Sequence, residues 1–171
     1  MTVVGVDIGG THITAAQVDQ VQGKFALGDL VEADVNTRAG VDLLIDSWVN
    51  IIKQAAGESS DFQIGIAMPG PFDYENGISW IEAQGKMKSL LGLSVRDLLA
   101  ASLGIPSTHI HFSNDAEAFL TGEIMADHQL SDQRVIGLTL GTGLGSAFYL
   151  DGISQDAKLW TAPFRDGIAE D

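Results

Sequence analysis

The chain has 171 residues, room for one ordinary domain or for one domain and part of a second. Hydrophobic residues make up 45% of it, cysteine is absent and the formal net charge is −14. A packed core is expected and disulfide or thiolate metal frameworks are excluded; nucleic acid and anionic membrane are disfavoured as partners, whereas a phosphate ligand is not, because backbone amides hold phosphate even in acidic proteins.

The start, Met1-Thr2-Val3-Val4-Gly5-Val6-Asp7, has no basic leader. No window approaches the roughly 18–20 apolar residues of a membrane span. These features predict a soluble, cytoplasmic protein. Val3 to Ile8 is a nearly continuous apolar run and predicts a buried strand, broken by Gly9-Gly10. Residues 11–18 follow as a returning strand and 24–31 as a third, behind the Gln22-Gly23 turn. The period then changes. Val41, Leu44, Ile45, Trp48, Ile52 and Ala55 fall at helical spacing, so a helix is expected over 40–56 with Gly57 as its stop. Residues 62–68 predict a strand that ends at the Pro69-Gly70-Pro71 loop. Residues 72–92 predict a long, partly ordered excursion. Ser94 and Asp97 resemble a capping box for a helix over 94–103, with Gly104 as its stop. A short strand is expected over 109–113, a helix over 115–126 and strands over 134–140 and 146–150, with Gly141–Gly145 as a glycine turn. The mixture is an α/β class.

One spacing feature organises the chain. Val4-Gly5-Val6-Asp7-Ile8-Gly9-Gly10-Thr11 resembles Ile136-Gly137-Leu138-Thr139-Leu140-Gly141-Thr142-Gly143. Each is an apolar strand with glycine at its second position, then a glycine-rich turn. Two unrelated hairpins would look the same. The alternative is a duplication, with one domain over 1–131 and a second beginning at 132. The second would then hold only about 40 residues, too few to be stable alone, so 132–171 is expected to be an incomplete lobe of a longer chain.

Glycine turns suit phosphate chemistry, because they let a phosphate approach the backbone and meet several N–H groups. Gly9, Gly10 and Thr11 form one candidate cradle and Gly141, Thr142 and Gly143 another, with Thr11 and Thr142 adding hydroxyls. Asp7 ends the first strand. It is either a turn-capping residue or a ligand of Mg²⁺, direct or through water, since a carboxylate beside a phosphate needs a cation between them. Gly141 to Gly145 does not open a helix as a dinucleotide fingerprint must, and no P-loop Gly-Lys-Ser/Thr occurs. Asn114 and Asp115 lie between a strand and a helix. They suit an ordinary N-cap. They also suit catalysis, with Asp115 accepting a proton from a substrate hydroxyl and Asn114 orienting the substrate. His12, His109, His111 and His128 have no spacing that closes a metal site; His109 and His111 are expected on one face of a strand, without a carboxylate partner. Trp48 is expected in the core; Trp80 and Trp160 could stack on a sugar, with packing the simpler expectation for either.

Four segments in order resemble motifs of ROK-family sugar kinases. Val6-Asp7-Ile8-Gly9-Gly10-Thr11 is similar to the first phosphate motif, Gly65 to Pro71 to the sugar-side loop, Phe112 to Ala118 to the catalytic segment, and Leu138 to Ser146 to the second phosphate motif. The resemblance covers residues 4–146. It implies an actin/hexokinase-like (ribonuclease H-like) two-lobed kinase that moves the γ-phosphoryl of Mg-ATP to a hexose hydroxyl. It also implies Asp115 as general base, Pro69, Gly70 and Asn114 at the sugar, and commonly a homodimer. There are departures. His12 stands where such kinases often carry lysine, and the family's Gly-Glu-x-Gly-His and cysteine-rich zinc segments are not found. Glu170 could replace the missing sugar-binding carboxylate. Zinc, the identity of the sugar, and ATP against polyphosphate as donor are left open. A sugar-sensing regulator of the same family would carry an N-terminal helix-turn-helix, whereas here the phosphate strand begins at residue 3 in an acidic chain. A non-catalytic sugar-binding module is the remaining alternative.

Overall fold

The computed structural model describes residues 2–21, 24–82, 86–141, 143–164 and 167–168. It divides into two compact units, Met1–Ser113 and Asn114–Asp171.

In the first unit β1 (Thr2–Ile8) is central, antiparallel to β2 (His12–Val21) and parallel to β5 (Phe62–Met68). Alternation decides the faces. Val4, Val6 and Ile8 of β1 and Phe62, Ile64, Ile66 and Met68 of β5 are buried on one side. They meet α1 (Val41–Ala56), which contributes Leu44, Ile45, Trp48 and Ile52 to the same core. Trp48 is fully buried, as its helical spacing predicts.

The expected strand over 24–31 is corrected to two. β3 (Lys24–Leu27) pairs with residues 18–21 of β2, and β4 (Val31–Asp34) pairs with residues 12–15. Gly28-Asp29-Leu30 interrupts the run, glycine and aspartate being poor strand formers. The Gly28 N–H donates to the Gln17 carbonyl at 2.9 Å between the two pieces. The ten residues of β2 thus carry both pieces along one edge.

The excursion after β5 is more ordered than expected. β6 (Phe72–Asp73) and β7 (Ile78–Ser79) form a hairpin, and Ile81, Met87 and Leu90 return to the core. α2 (Val95–Leu103) starts as the capping box predicts, Ser94 Oγ accepting from the Asp97 N–H at 3.2 Å, and stops at Gly104, whose φ is 73°. β8 (Ile110–Asn114) closes the sheet in the order β3-β2-β1-β5-β8. His109 is not on this strand. It ends a 3₁₀ turn at Ser107–His109, set by the fixed backbone of Pro106, and its Nδ1 lies 3.9 Å from an Asp61 carboxylate oxygen and 3.2 Å from the Phe62 carbonyl.

In the second unit α3 (Asp115–Ala126) packs on the three-stranded sheet of β9 (Val135–Leu140), β10 (Leu144–Leu150) and β11 (Ile153–Asp156). Ala116, Leu120, Ile124 and Ala147 form its core. Close packing explains two glycines. A Cβ on Gly137 would stand 3.2 Å from both Cβ and Cδ1 of Leu120. One on Gly145 would stand 3.3 Å from Ala116 Cβ and collide with Thr139 Oγ1. Gly145 therefore belongs to β10 rather than to the turn, and β10 begins at Leu144 instead of the expected 146. A short hairpin of β12 (Pro163–Phe164) and β13 (Gly167–Ile168) follows. Among the described residues, no helix is long and apolar enough to cross a membrane.

Candidate phosphate-binding and catalytic residues

Both halves of the sequence echo are antiparallel hairpins. In the first, Ile8 pairs with Ile13 across residues 9–12. The Gly9 N–H donates to the His12 carbonyl at 2.9 Å and closes the turn, so this amide is used internally. The Thr11 carbonyl accepts from the Val35 N–H at 2.8 Å, which ties the turn to the connection between β4 and α1. Thr11 Oγ1 lies 3.1 Å from His12 Nδ1. Asp7 is on β1 opposite Thr14, on the face away from Val6 and Ile8, and is exposed. In the second hairpin Leu140 pairs with Leu144, and the Gly141 N–H donates to the Gly143 carbonyl at 3.1 Å. Thr142 and Glu170 lie outside the described residues.

Among the described residues, no group of three or more His, Cys, Asp or Glu could hold a metal ion. Mg²⁺ is commonly held by one or two carboxylates, with water and substrate phosphate filling its octahedron; the residue that would hold it here is Asp7, the exposed carboxylate on the strand entering the first glycine turn.

The Pro69–Pro71 loop follows β5 and is pinned from below. Tyr74 Oη donates to the Met68 carbonyl at 3.0 Å and is 3.4 Å from where a Cβ on Gly70 would be. The Pro71 carbonyl accepts from the Trp80 N–H at 3.0 Å, and the Gly70–Pro71 peptide is cis. Sequence reasoning missed Tyr74, since nothing in its spacing separates it from an ordinary core aromatic. Trp80, expected to pack, is instead 51% exposed. The Trp160 side chain lies outside the described residues.

At the head of α3 the two polar neighbours divide their tasks. Asn114 is buried, and its Oδ1 accepts from the Ala116 N–H at 3.0 Å and the Glu117 N–H at 3.3 Å. These are N-cap bonds, so the capping reading belongs to Asn114. Asp115 is the first helical residue and half-buried, with Oδ1 2.8 Å from the Ala116 N–H. Glu117 reaches the other way, accepting from the Asp156 N–H of β11, while Thr121 Oγ1 donates to Ser154 Oγ at 3.0 Å. Together these bonds anchor the segment that presents Asp115.

The family model for the ROK family matches residues 3–158. The chain belongs to the ROK family. A glucokinase of Thermotoga maritima is 29% identical over 168 residues, 98% of this chain and 48% of that protein. An N-acetyl-D-glucosamine kinase of Photobacterium profundum is 30% identical over 149 residues, 86% of this chain and 46% of that protein. The chain thus spans about half the length of the curated relatives it matches. Among solved structures, the inorganic polyphosphate/ATP-glucomannokinase of Arthrobacter sp. strain KM superposes with a TM-score of 0.81 at 27% identity, covering 99% of this chain and 66% of that one. The ROK chain therefore has the α/β, actin/hexokinase-like fold that its motifs imply.

Proposed function

We propose that this ROK chain is part of a sugar kinase that transfers the γ-phosphoryl of Mg-ATP to a hexose hydroxyl. The observation that carries the reading is family membership over nearly the whole chain, with relatives named as glucokinase and N-acetyl-D-glucosamine kinase. In this reading residues 1–131 form the N-terminal sugar-kinase domain and 132–171 begin the ATP-side lobe. Phosphoryl transfer needs positioning and charge neutralisation more than covalent chemistry. In this reading Gly9, Gly10 and Thr11 form one phosphate cradle, with the Gly9 N–H closing the turn and the Gly10 and Thr11 amides meeting phosphate; Gly141, Thr142 and Gly143 form a second, where the Gly141 N–H likewise closes the turn. Mg²⁺ held by Asp7, directly or through water, would neutralise charge on the transferred group.

In this reading Pro69, Gly70 and Asn114 bind the sugar, with Glu170 as a further contact; Pro69 and Gly70 follow β5, and Asn114 is the last residue of β8. Asp115 accepts the hydroxyl proton as the O–P bond forms. That role is supported by the bonds at the head of α3, where Asn114 alone reaches the Glu117 N–H and also accepts from the Ala116 N–H, which Asp115 shares, so the cap does not depend on Asp115. The whole protein acts in the cytoplasm as a homodimer, with no nucleic acid or membrane partner. The test uses this chain joined to a second half of the family's usual length. It should phosphorylate at least one of glucose, N-acetylglucosamine and mannose with ATP or polyphosphate. Sugar binding without turnover on any of these would instead favour a sugar-sensing or non-catalytic protein.

A further inference from the structure

We infer that Lys86 is a phosphate-binding residue of the first glycine turn, a role that rests on the reading of Gly9–Thr11 as a phosphate cradle. A Cβ placed on Gly10 would stand 2.9 Å from Lys86 Nζ, 3.4 Å from its Cδ and 3.6 Å from its Cε. The ammonium and the end of its stem therefore lie directly against the turn, although the two residues are 76 positions apart (86 minus 10).

The placement is built, not incidental. The next residue, Met87, is 1% exposed and holds a left-handed backbone at φ 51°, a conformation that non-glycine residues keep only when their surroundings enforce it. Its N–H donates to the Thr37 carbonyl at 2.7 Å, and Ser89 Oγ donates to the Ala39 carbonyl at 2.9 Å. The glycine turn is tied to the same connection, through the Val35 N–H on the Thr11 carbonyl at 2.8 Å. The 35–39 connection thus holds both the turn and the lysine segment in one register.

The chemistry follows from charge. Asp7 stands on the strand entering the turn, and Asp34 pairs with His12 on the strand leaving it. An anion approaching this turn meets carboxylates on both sides, in a chain of net charge −14. A fixed ammonium beside backbone amides and the Thr11 hydroxyl offsets that repulsion and supplies charge-assisted hydrogen bonds to phosphate oxygens. The ligand class is the phosphate end of a nucleoside triphosphate or a polyphosphate.

The test uses the 171-residue chain with inorganic tripolyphosphate and Mg²⁺, read by amide chemical shifts, because this probe needs no adenine pocket. Shifts of the Gly10 and Thr11 amides are expected in the wild type. Lys86→Met should weaken binding about tenfold or more and flatten its dependence on ionic strength, and Lys86→Arg should restore both. Lys86→Gln serves as a second neutral variant should Met disturb the fold, as judged by unchanged shifts outside the turn. Wild-type affinity and salt dependence in both neutral variants would overturn the role of Lys86 while leaving the cradle in place. Absence of Gly10 and Thr11 shifts in the wild type would overturn the cradle, and Lys86 with it.

Discussion

Gly137 is the second residue of the strand portion Ile136–Leu140 in the sequence echo, and the structure gives it a purpose that can be measured. It faces Leu120 of α3, so Gly137→Ala forces a methyl to within 3.2 Å of Leu120 Cβ and Cδ1, closer than ordinary van der Waals contact. Leu120 is 2% exposed and cannot swing out. Overpacking of this kind costs about 1–3 kcal/mol. Loss of glycine's freedom in the unfolded chain returns about 0.4–1 kcal/mol, which leaves a net loss of about 0–2.6 kcal/mol. Leu120→Ala costs about 2–5 kcal/mol on its own through the cavity. The double variant is the informative one. Removing Leu120 Cγ and Cδ1 relieves part of the clash, and the new methyl fills part of the hole, so the double variant should be more stable than the sum of the singles by at least about 0.5 kcal/mol. Urea unfolding followed by circular dichroism gives the energies, and hydrogen exchange of β9 amides assigns them to the second unit. Additivity within about 0.3 kcal/mol would mean that Gly137 is not there to admit the helix.

Asn114→Ala should cost about 1 kcal/mol and Asn114→Asp much less, because only the acceptor oxygen makes the cap bonds to Ala116 and Glu117; thermal melts check the order. The Asp73 carboxyl is held below its usual range, first by the Asn76 side-chain N–H and then by the Asn76 backbone N–H, at 2.8 and 3.0 Å. Its folded pKa is lowered, so its contribution to stability is present above the unfolded value and lost as pH falls through the folded one. Titration followed by carboxyl NMR should place Asp73 below free aspartate, and Asn76→Ala should raise it.

The core was legible from the sequence because its periods are clean. Trp48 lies on the helical stripe of α1, and Val4, Val6 and Ile8 alternate on β1, so burial follows from spacing alone. The glycine turns and the head of α3 were legible because glycine and Asn-Asp mark special backbone. What stayed hidden was tertiary. The break at Gly28 depends on how β2 shares its edge, and Gly145 looks like a turn residue until α3 is packed against it. Tyr74 and Lys86 reach their targets, the Met68 carbonyl and Gly10, through folds of the 72–92 excursion that carry no periodicity. Asn114 and Asp115 were equally good caps on residue type; both accept from the Ala116 N–H, and only the further bond from the Glu117 N–H to Asn114 separated them.

The most direct measurement of the central claim is Asp115→Asn in the protein that carries this chain with a complete second half. Asparagine keeps the shape and an acceptor for the Ala116 N–H, and the cap stays on Asn114, so stability should change by no more than about 0.5 kcal/mol. It cannot take a proton at neutral pH. Steady-state kinetics across several hexoses, with sugar binding measured in parallel, should give a kcat lower by about 10²- to 10⁴-fold with sugar affinity largely intact. A variant that keeps near wild-type kcat on its best sugar would contradict the assignment of Asp115 as the base.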